Sequence, residues 1–269
     1  MEPSSSHLVI LPSYNTGPRL AGVVAEVLLH WQPVLVVLDG STDGSGQPLL
    51  ELAQSEPGLS VLVLPQNSGK GAAVLAGLAA AKDRGFSHAL VMDADGQHPS
   101  SSIPEFMEVS RQHPAAMILG RPVFGPDAPF ERLYGRKISV GLVRIETLGL
   151  SIADPLCGFR VYPVQPLLEE LEPRSSGRRY DFDTDAAVRL FWAGVQPINL
   201  RASVRYFTAS EGGVSHYRYL SDNVTLGLLH IRLIFELLLR RWPAVLRHRR
   251  HWRKFGQNPA PEPSGRAHR

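Results

Sequence analysis

Two aspartates stand at alternate positions in 91-VMDADGQHP-99, directly after an apolar run. Side chains alternate along a strand, so Asp93 and Asp95 point the same way if the extended backbone continues through them. Carboxylates this close repel each other, and a cation relieves the repulsion. Oxygen ligands from Asp93, Asp95 and Gln97 suit Mg²⁺ or Mn²⁺ held partly by substrate phosphates, whereas His98 is expected in the turn. The alternative is a tight turn at Asp95 with Asp93 capping the next helix.

Polar residues also follow the other apolar runs, in 12-PSYN-15, 39-DGSTDGS-45, 66-QNSGKG-71 and 120-GRP-122. Asp39 is placed to accept hydrogen bonds from a base or a ribose, while Ser45 or Asp43 caps the helix that follows. Lys70, between two glycines at a helix start, suits a diphosphate, or it is simply solvated. The full phosphate-loop pattern G-x-x-x-x-G-K-[ST] is absent, which argues against a nucleotide triphosphatase.

These stretches must be positioned by the elements between them. Apolar runs at 7–12, 34–39, 60–65, 88–93 and 115–120 alternate with helical patterns at 18–31, 45–55, 71–85 and 100–113. Strands that are apolar nearly throughout, joined by helices of this length, predict a doubly wound α/β domain with a mostly parallel sheet. Ligands of such sheets bind beyond the carboxyl ends of the strands, where the polar stretches lie.

Composition excludes several classes of protein. The 269 residues are 43% hydrophobic and 20% charged, as in a globular protein. Cys157 is the single cysteine, so no internal disulfide forms, and the first residues do not resemble a signal peptide. The longest apolar stretch, 224–239, contains His230, Arg232 and Glu236, which argues against a membrane span. We therefore expect a cytoplasmic or cytosol-facing protein, peripheral on the cytoplasmic face of a membrane.

The motifs PSYN, VVLDGSTDGS, NSGKGAAVLAGL, VMDADGQHP and DPLCGFRVY, in this order, resemble the family-2 glycosyltransferases of GT-A fold. The match runs from about residue 8 to 215. Within the family, the chain is most similar to the branch that contains dolichol-phosphate mannosyltransferase and the bacterial polyprenyl-phosphate glycosyltransferases. The resemblance implies an inverting enzyme that uses a nucleotide-diphosphate sugar and acts on a lipid-linked acceptor, with no nucleic-acid partner.

The resemblance also implies roles for particular residues. Pro12, Tyr14 and Asn15 would line the base site, and Asp39 would contact base or ribose. Asp93, Asp95 and Gln97 would hold the divalent ion on the donor diphosphate, with Lys70 as a possible second positive charge. One departure is 37-VLDGS-41, where Leu38 stands in place of a second aspartate that many relatives have, so the nucleotide stays open.

The acceptor side is implied by basic residues. Arg121 matches an arginine that helps to hold the acceptor phosphate in the polyprenyl-phosphate branch. The stretch 132-RLYGRKIS-139 departs in spacing from the R-x-x-x-S-R of that branch, so a cluster is assigned: Arg132, Arg136, Lys137 and Ser139. The alternative is an ordinary basic helix face. A phosphate acceptor is already ionised and needs positioning for in-line attack, without a general base.

A further departure is 180-YDFDTDAAVRL-190, where relatives usually carry Glu. Asp183 or Asp185 would serve as general base if the acceptor were a hydroxyl of a glycan or glycolipid. The alternative is that these aspartates cap a helix and interact with its dipole. A third, non-catalytic hypothesis is a nucleotide-sugar-binding subunit that recruits a partner.

The C-terminal part differs in character from the rest. We predict a GT-A domain over 1–218, a helical segment over 219–254 and a disordered tail over 255–269, and the resemblance implies a mobile loop at 208–220. From residue 231 onward, ten Lys/Arg stand against two Asp/Glu. An apolar helix, with Leu226, Leu229, Leu233 and Leu237 on it, followed by 247-RHRRHWRK-254 suits an anionic membrane surface. Docking on the domain's own core or on a partner subunit is the alternative.

Overall fold

A computed structural model describes residues 2–124, 130–149, 151–174, 177–205 and 219–254. Its seven strands are β1 (His7–Ser13), β2 (Val34–Asp39), β3 (Leu59–Leu64), β4 (His88–Val91), β5 (Ala116–Phe124), β6 (Arg160–Pro163) and β7 (Gln196–Val204). They form one sheet in the order β3-β2-β1-β4-β6-β5-β7. Neighbouring strands are parallel, except that β6 is antiparallel to both β4 and β5. The predicted mostly parallel α/β fold is confirmed.

The helices are α1 (Arg19–His30), α2 (Gln47–Leu52), α3 (Lys70–Asp83), α4 (Ile103–Gln112), α5 (Phe130–Glu146), α6 (Val164–Leu171), α7 (Phe182–Trp192), α8 (Tyr219–Glu236) and α9 (Trp242–Lys254). A 3₁₀ turn, Ser100–Ser102, precedes α4, and a π-helical turn, Leu237–Arg241, joins α8 to α9. The pattern of apolar runs and helices over the first 124 residues is confirmed, with boundaries shifted by a few residues.

Two strand boundaries change the prediction of the site. β4 ends at Val91, so Asp93 and Asp95 follow the strand and do not alternate along it. β5 continues to Phe124, so Arg121 lies within the strand and not after it. The longer β5 is explained by β7, which pairs with it along its whole length in parallel register.

The core lies on both faces of the sheet. β1 and β2 are buried at every position, because helices cover the sheet from both sides. One hydrophobic cluster joins the sheet to α3, α6 and α7, and the other joins it to α1 and α4. On α3, a side chain at Gly77 would collide with Ile10 and Val37, so the glycine lets this helix approach the sheet closely.

The C-terminal helices pack against the same core. Leu229, Leu233, Leu237 and Val245 are buried in the cluster that contains α7. The predicted domain boundary at residue 218 and the predicted loop at 208–220 fall in or beside 206–218, outside the described residues, as does the predicted tail at 255–269. No helix in the described ranges combines the length and hydropathy that crossing a bilayer requires.

Candidate active site

A largely buried lysine lies at the centre of the carboxyl edge of the sheet. Lys70 Nζ is 2.6 Å from Asp93 Oδ1 and 2.7 Å from Asp183 Oδ2. Burial alone would lower the pKa of Lys70, but the charges of Asp183 and Asp93 raise it above its ordinary value. The ammonium group therefore stays protonated and ties the start of α3 to Asp183, which lies 113 residues further along the chain. In the described structure, Lys70 contacts these carboxylates, and its predicted contact with a donor stays a prediction.

Asp183 is the aspartate of α7 that faces this lysine. It is buried, and burial raises the pKa of its carboxyl group, although the charges of Lys70 and Arg160 act in the opposite direction. Its second oxygen, Oδ1, is buried and has no hydrogen-bond partner among the described residues. A buried carboxylate oxygen without a partner is costly, so this atom is available to a substrate hydroxyl or a water molecule.

Asp95 approaches Asp93 through a turn. Asp95 Oδ1 accepts a hydrogen bond of 2.9 Å from the backbone N–H of Gln97, and Gly96 takes a positive φ of 76°. Burial, and then the charge of Asp93, raises the pKa of Asp95 to about 6. The predicted tight turn and the predicted pair of neighbouring carboxylates are thus both present. Proximity comes from the turn, so the expectation of alternation along an extended strand was wrong.

The segment that precedes β6 completes the wall beside Asp93. Gly158 lies so close that an added Cβ would overlap Asp93 Oδ2 and would come within 2.9 Å of Lys70 Nζ. Arg160, fully buried, donates hydrogen bonds to the backbone carbonyl oxygens of Cys157, Asp154 and Asp183. Its guanidinium therefore fixes both the 154–158 segment and the start of α7 relative to β6.

The two other aspartates of the acidic stretch have structural partners. Asp181 accepts hydrogen bonds from the backbone N–H groups of Gly177 and Arg179, both at 3.1 Å, and so holds the loop before α7. Asp185 is fully buried and pairs with Arg189, which also pairs with Glu236 of α8 at 2.8 Å. Asp185 is therefore sequestered in the core, and only Asp183 of the two predicted general bases reaches the site.

The predicted base site is formed by two loops tied to each other. Asn15 Oδ1 accepts a hydrogen bond of 2.8 Å from the N–H of Thr42, and the N–H of Asn15 donates to Ser41 Oγ. Tyr14 is half-buried beside Asn15, whereas Pro12 is buried within β1. Tyr14 and Asn15 thus lie where a ligand can contact them, and Pro12 supports the loop from below.

Asp39 positions the loop that leads to Lys70. Its Oδ1 accepts from the N–H of Ser68 at 2.9 Å and its Oδ2 from the N–H of Gly69 at 2.8 Å. The residue is buried at the end of β2. Both oxygens therefore already hold the 66–69 loop, and the predicted contact of Asp39 with base or ribose stays a prediction.

The start of α3 is covered by the chain itself. Ala72 N–H donates to the backbone oxygen of Arg178 at 3.1 Å, and an added Cβ at Gly71 would overlap the backbone oxygen of Gly177. We expected this helix start to receive a diphosphate. The glycines at 69 and 71 admit the 177–178 segment, which leads to α7 and Asp183, and the expected diphosphate contact stays a prediction.

The side chains of the predicted acceptor cluster on α5 have different surroundings. Arg136 Nη1 pairs with the buried Asp154 Oδ2 at 2.6 Å. Lys137 is exposed, and Ser139 is buried. The side chain of Arg132 lies outside the described part of the chain. Positions 132, 136 and 139 share one side of α5, from which Arg136 is directed to the 154–158 segment, whereas Lys137 lies on another side. The assignment of this cluster to the acceptor stays a prediction.

Arg121 instead has a basic neighbour on the sheet. In the parallel register of β5 and β7, Arg121 stands beside Arg201, and both side chains are exposed. Neither guanidinium forms an ion pair with another residue in the described ranges. Like charges on neighbouring strands destabilise a sheet unless an anion lies between them. The pair is therefore a candidate site for a phosphate.

Sequence reasoning missed Gly158, Arg160 and Arg201. The first two stand in 154-DPLCGFRVY-162, which carried the resemblance without receiving a role. An arginine inside an otherwise apolar strand was the available signal, because such a charge is buried only with several hydrogen-bond partners. No sequence pattern indicated Arg201, because it becomes a candidate only when β7 pairs with β5 and places it beside Arg121.

Comparison with known proteins identifies the family. The model of the family described as glycosyl transferase family 2 matches residues 8–169. The chain belongs to this family. The glycosyltransferase is 32% identical over 223 residues to the polyprenol monophosphomannose synthase of Mycolicibacterium smegmatis, covering 80% of this chain and 82% of the relative. It is 31% identical over 188 residues to the undecaprenyl-phosphate mannosyltransferase of Micrococcus luteus, covering 65% and 74%.

Solved structures agree on the fold of this glycosyltransferase. A mannosyltransferase from Pyrobaculum calidifontis, in complex with GDP-mannose and Mn²⁺, aligns with a TM-score of 0.56 at 16% identity, covering 96% of this chain and 79% of that one. Glucosyl-3-phosphoglycerate synthase from Mycobacterium tuberculosis, in complex with Mn²⁺, UDP-glucose and phosphoglyceric acid, aligns at 0.57 and 17% identity, covering 87% and 79%. The predicted family, enzyme class and GT-A fold are confirmed.

Proposed function

We propose that the protein transfers a sugar from a nucleotide-diphosphate sugar to a polyprenyl phosphate, with inversion at the sugar carbon. The main support is the group of charged side chains at the carboxyl edge of the sheet. Lys70 pairs with Asp93 and Asp183, and Asp95 lies close to Asp93. The names of the two relatives above, a polyprenol monophosphomannose synthase and an undecaprenyl-phosphate mannosyltransferase, support the acceptor class.

Two neighbouring carboxylates support a divalent cation at this edge. Asp93 and Asp95 are two carboxylates close enough that the charge of the first raises the pKa of the second, and an added cation relieves that repulsion. We propose that Asp93, Asp95 and Gln97 hold Mg²⁺ or Mn²⁺ together with the donor diphosphate. When bound, the ion supplies positive charge where the leaving diphosphate becomes more negative.

A phosphate acceptor agrees with the state of the aspartates. An ionised phosphate needs no group to remove its proton, only cations that hold it in line with the sugar carbon. Arg121 and Arg201 supply two such cations, and Asp183 is already paired with Lys70. We therefore assign the acceptor phosphate to Arg121 and Arg201, and we assign Asp183 to positioning Lys70 and to contacting the donor sugar through Oδ1.

Transfer measured with purified protein tests the proposal. A labelled sugar from GDP- or UDP-sugars should pass to a short-chain polyprenyl phosphate in the presence of Mn²⁺ or Mg²⁺, and chelation should abolish the reaction. Asp95→Ala should reduce turnover by about 1000-fold, whereas Asp83→Ala, exposed at the end of α3, should not. Near-normal turnover of Asp95→Ala would refute the metal assignment, and the anomeric configuration of the product decides inversion.

A hydroxyl acceptor is the second candidate, because Asp183 Oδ1 has no partner among the described residues. In that case Asp183→Asn would lose turnover on a glycan or glycolipid acceptor while donor affinity stayed unchanged. Absence of transfer and of donor hydrolysis, with donor binding intact, would favour the non-catalytic alternative.

A lipid-linked acceptor also implies where the enzyme works. We propose that it is a peripheral protein on the cytoplasmic face of a membrane, where the headgroup of a polyprenyl phosphate is accessible from the aqueous side. Fractionation of cells into soluble and membrane parts, with a high-salt wash, measures this directly. Recovery of all activity in the soluble fraction at low ionic strength would contradict it.

A further inference from the structure

The helices α8 and α9 have an apolar surface that the core does not cover. Large side chains on one side of α8, the π-helical turn and the start of α9 are exposed: Val224, Leu228, Ile231, Phe235, Leu238, Leu239, Trp242 and Leu246. Their spacing of three or four residues places them along one stripe, which we call the apolar ridge. Phe235 and Leu239 are 61% and 75% exposed, and the ridge is about 27 Å long from Val224 to Trp242.

The opposite side of the same helix is fixed to the enzyme. Leu229, Leu233 and Leu237 are buried against the core, and Glu236 accepts hydrogen bonds from Arg189 of α7 and from Arg241. Arg189 in turn holds Asp185 on the helix that carries Asp183. The four leucines considered from sequence, Leu226 among them, therefore lie on the core side, and a different set of residues forms the ridge.

The charges beside the ridge favour one occupant. Arg232, Arg240 and Arg247 are exposed on its flank, and the only acidic residue from Val224 to Leu246, Glu236, is turned inward to Arg189 and Arg241. A second copy of the chain would bring the same positive flank against its own, which is unfavourable. Anionic lipid headgroups complement the arginines, and the acyl region accepts the apolar side chains.

We propose that the apolar ridge inserts into the interface of an anionic bilayer, with the helix lying in the plane of the membrane. This rests on the proposed function, since it names the surface that brings the enzyme to a lipid-linked acceptor. Because Glu236 of α8 is paired with Arg189 of α7, a bilayer that holds α8 also holds Asp183 and its helix at a fixed position relative to the headgroups.

Vesicle co-sedimentation of the full chain tests the ridge. Phe235→Glu/Leu239→Glu should bind vesicles of phosphatidylglycerol and phosphatidylcholine at least tenfold more weakly than the unmodified protein. Leu29→Glu, a change at an equally exposed leucine of α1 (77% exposed), should bind normally. Arg232→Gln/Arg240→Gln should weaken binding to the anionic vesicles several-fold and should leave the weak binding to pure phosphatidylcholine unchanged. Thermal unfolding confirms that each variant is folded.

Two outcomes overturn the proposal. One is vesicle binding that is unchanged in Phe235→Glu/Leu239→Glu, and the other is a dimer of the unmodified protein that the substitution converts to monomer. Transfer to a water-soluble, short-chain prenyl phosphate separates this proposal from the proposed function. The ridge variant should keep that activity, whereas an unmodified protein that binds vesicles but never uses the short acceptor would refute the function and leave the ridge intact.

Discussion

The two edges of the sheet both bury titratable side chains, but these side chains are charged at the carboxyl edge and neutral at the amino edge. At the carboxyl edge, Lys70 keeps its charge because two carboxylates lie within 2.7 Å. At the amino edge, His7 and His88 stand in register on β1 and β4 and stack with ring centroids 4.5 Å apart. Burial lowers the pKa of both histidines, that of His7 to about 4, so the rings are neutral at pH 7.

The hydrogen bonds explain the difference. His7 bonds to Ser6 Oγ and Ser110 Oγ, and His88 bonds to Ser87 Oγ and the backbone oxygen of Pro114, so neutral partners satisfy both rings. At the carboxyl edge, Asp183 Oδ1 is buried with no partner within the described structure. A satisfied, neutral cluster indicates a structural role, and a charged cluster with an unsatisfied atom indicates a binding site.

Among the changes that compare the two edges, removal of the lysine charge should have the largest effect. Lys70→Met would leave Asp93 and Asp183 without their shared cation, so we expect turnover to fall by about 100-fold or more and the free energy of unfolding to fall by about 3 kcal/mol. Steady-state kinetics and urea unfolding measure the two effects. Lys82→Met, on the exposed side of the same helix, is the control and should keep normal turnover. Normal turnover of Lys70→Met would contradict a functional role for the charged group at the carboxyl edge.

Acid should destabilise the amino edge. The pKa of His7 is lower in the folded protein, about 4, than in the unfolded chain, about 6.5, so the folded state binds fewer protons between these values. Stability is therefore complete above pH 6.5 and is lost as the pH falls toward 4, by about 2 kcal/mol for this residue. Urea unfolding at pH 7.0 and 4.5 should show a smaller loss in His7→Phe than in the unmodified protein. If both proteins lost the same free energy of unfolding between pH 7.0 and 4.5, protonation of the stacked histidines would not be the cause of the acid sensitivity.

Crowding of the carboxyl edge should affect the reaction more than the fold. Gly158→Ala places a Cβ against Asp93 and near Lys70, so turnover should fall by about tenfold with a loss of about 1–2 kcal/mol in the free energy of unfolding. Gly22→Ala is matched to it, because nothing lies within 4 Å of an added Cβ on α1, and it should keep full activity. Similar kinetics for the two variants would show that the contact with Asp93 is unimportant.

The smallest expected effect concerns the arginine pair. Arg201→Gln should raise the KM for a polyprenyl phosphate about fivefold, since one of two cations beside the phosphate is lost, and the KM for the donor should not change. Arg201→Lys should recover part of the affinity. Arg84→Gln, exposed after α3, is the control, and an equal change in both KM values for Arg201→Gln would indicate a general defect.

Much of the site followed from the order of residues along the chain. Apolar strands that each end in a polar motif place those motifs at one edge, which is why the region containing Tyr14, Asp39, Lys70 and Asp93 could be predicted. The turn was harder to predict, since β4 ends at Val91 and the turn at Ala94 and Asp95 then sets where the two carboxylates stand. The roles of Asp183 and Asp185 were not separable, because both stand at a helix start and only packing buries one of them against Arg189.

The sequence alone therefore determined the α/β class, the edge that carries the chemistry and the family, because these depend on local periodicity and on ordered motifs. Tertiary structure decided the partners. It placed β6 antiparallel between β4 and β5, brought Gly158 and Asp183 to a lysine far away in the chain, and turned one side of α8 inward and the other outward. Such contacts join residues that are far apart in the sequence. Which of them form depends on the packing of the whole core, and a local sequence pattern contains no information about that packing.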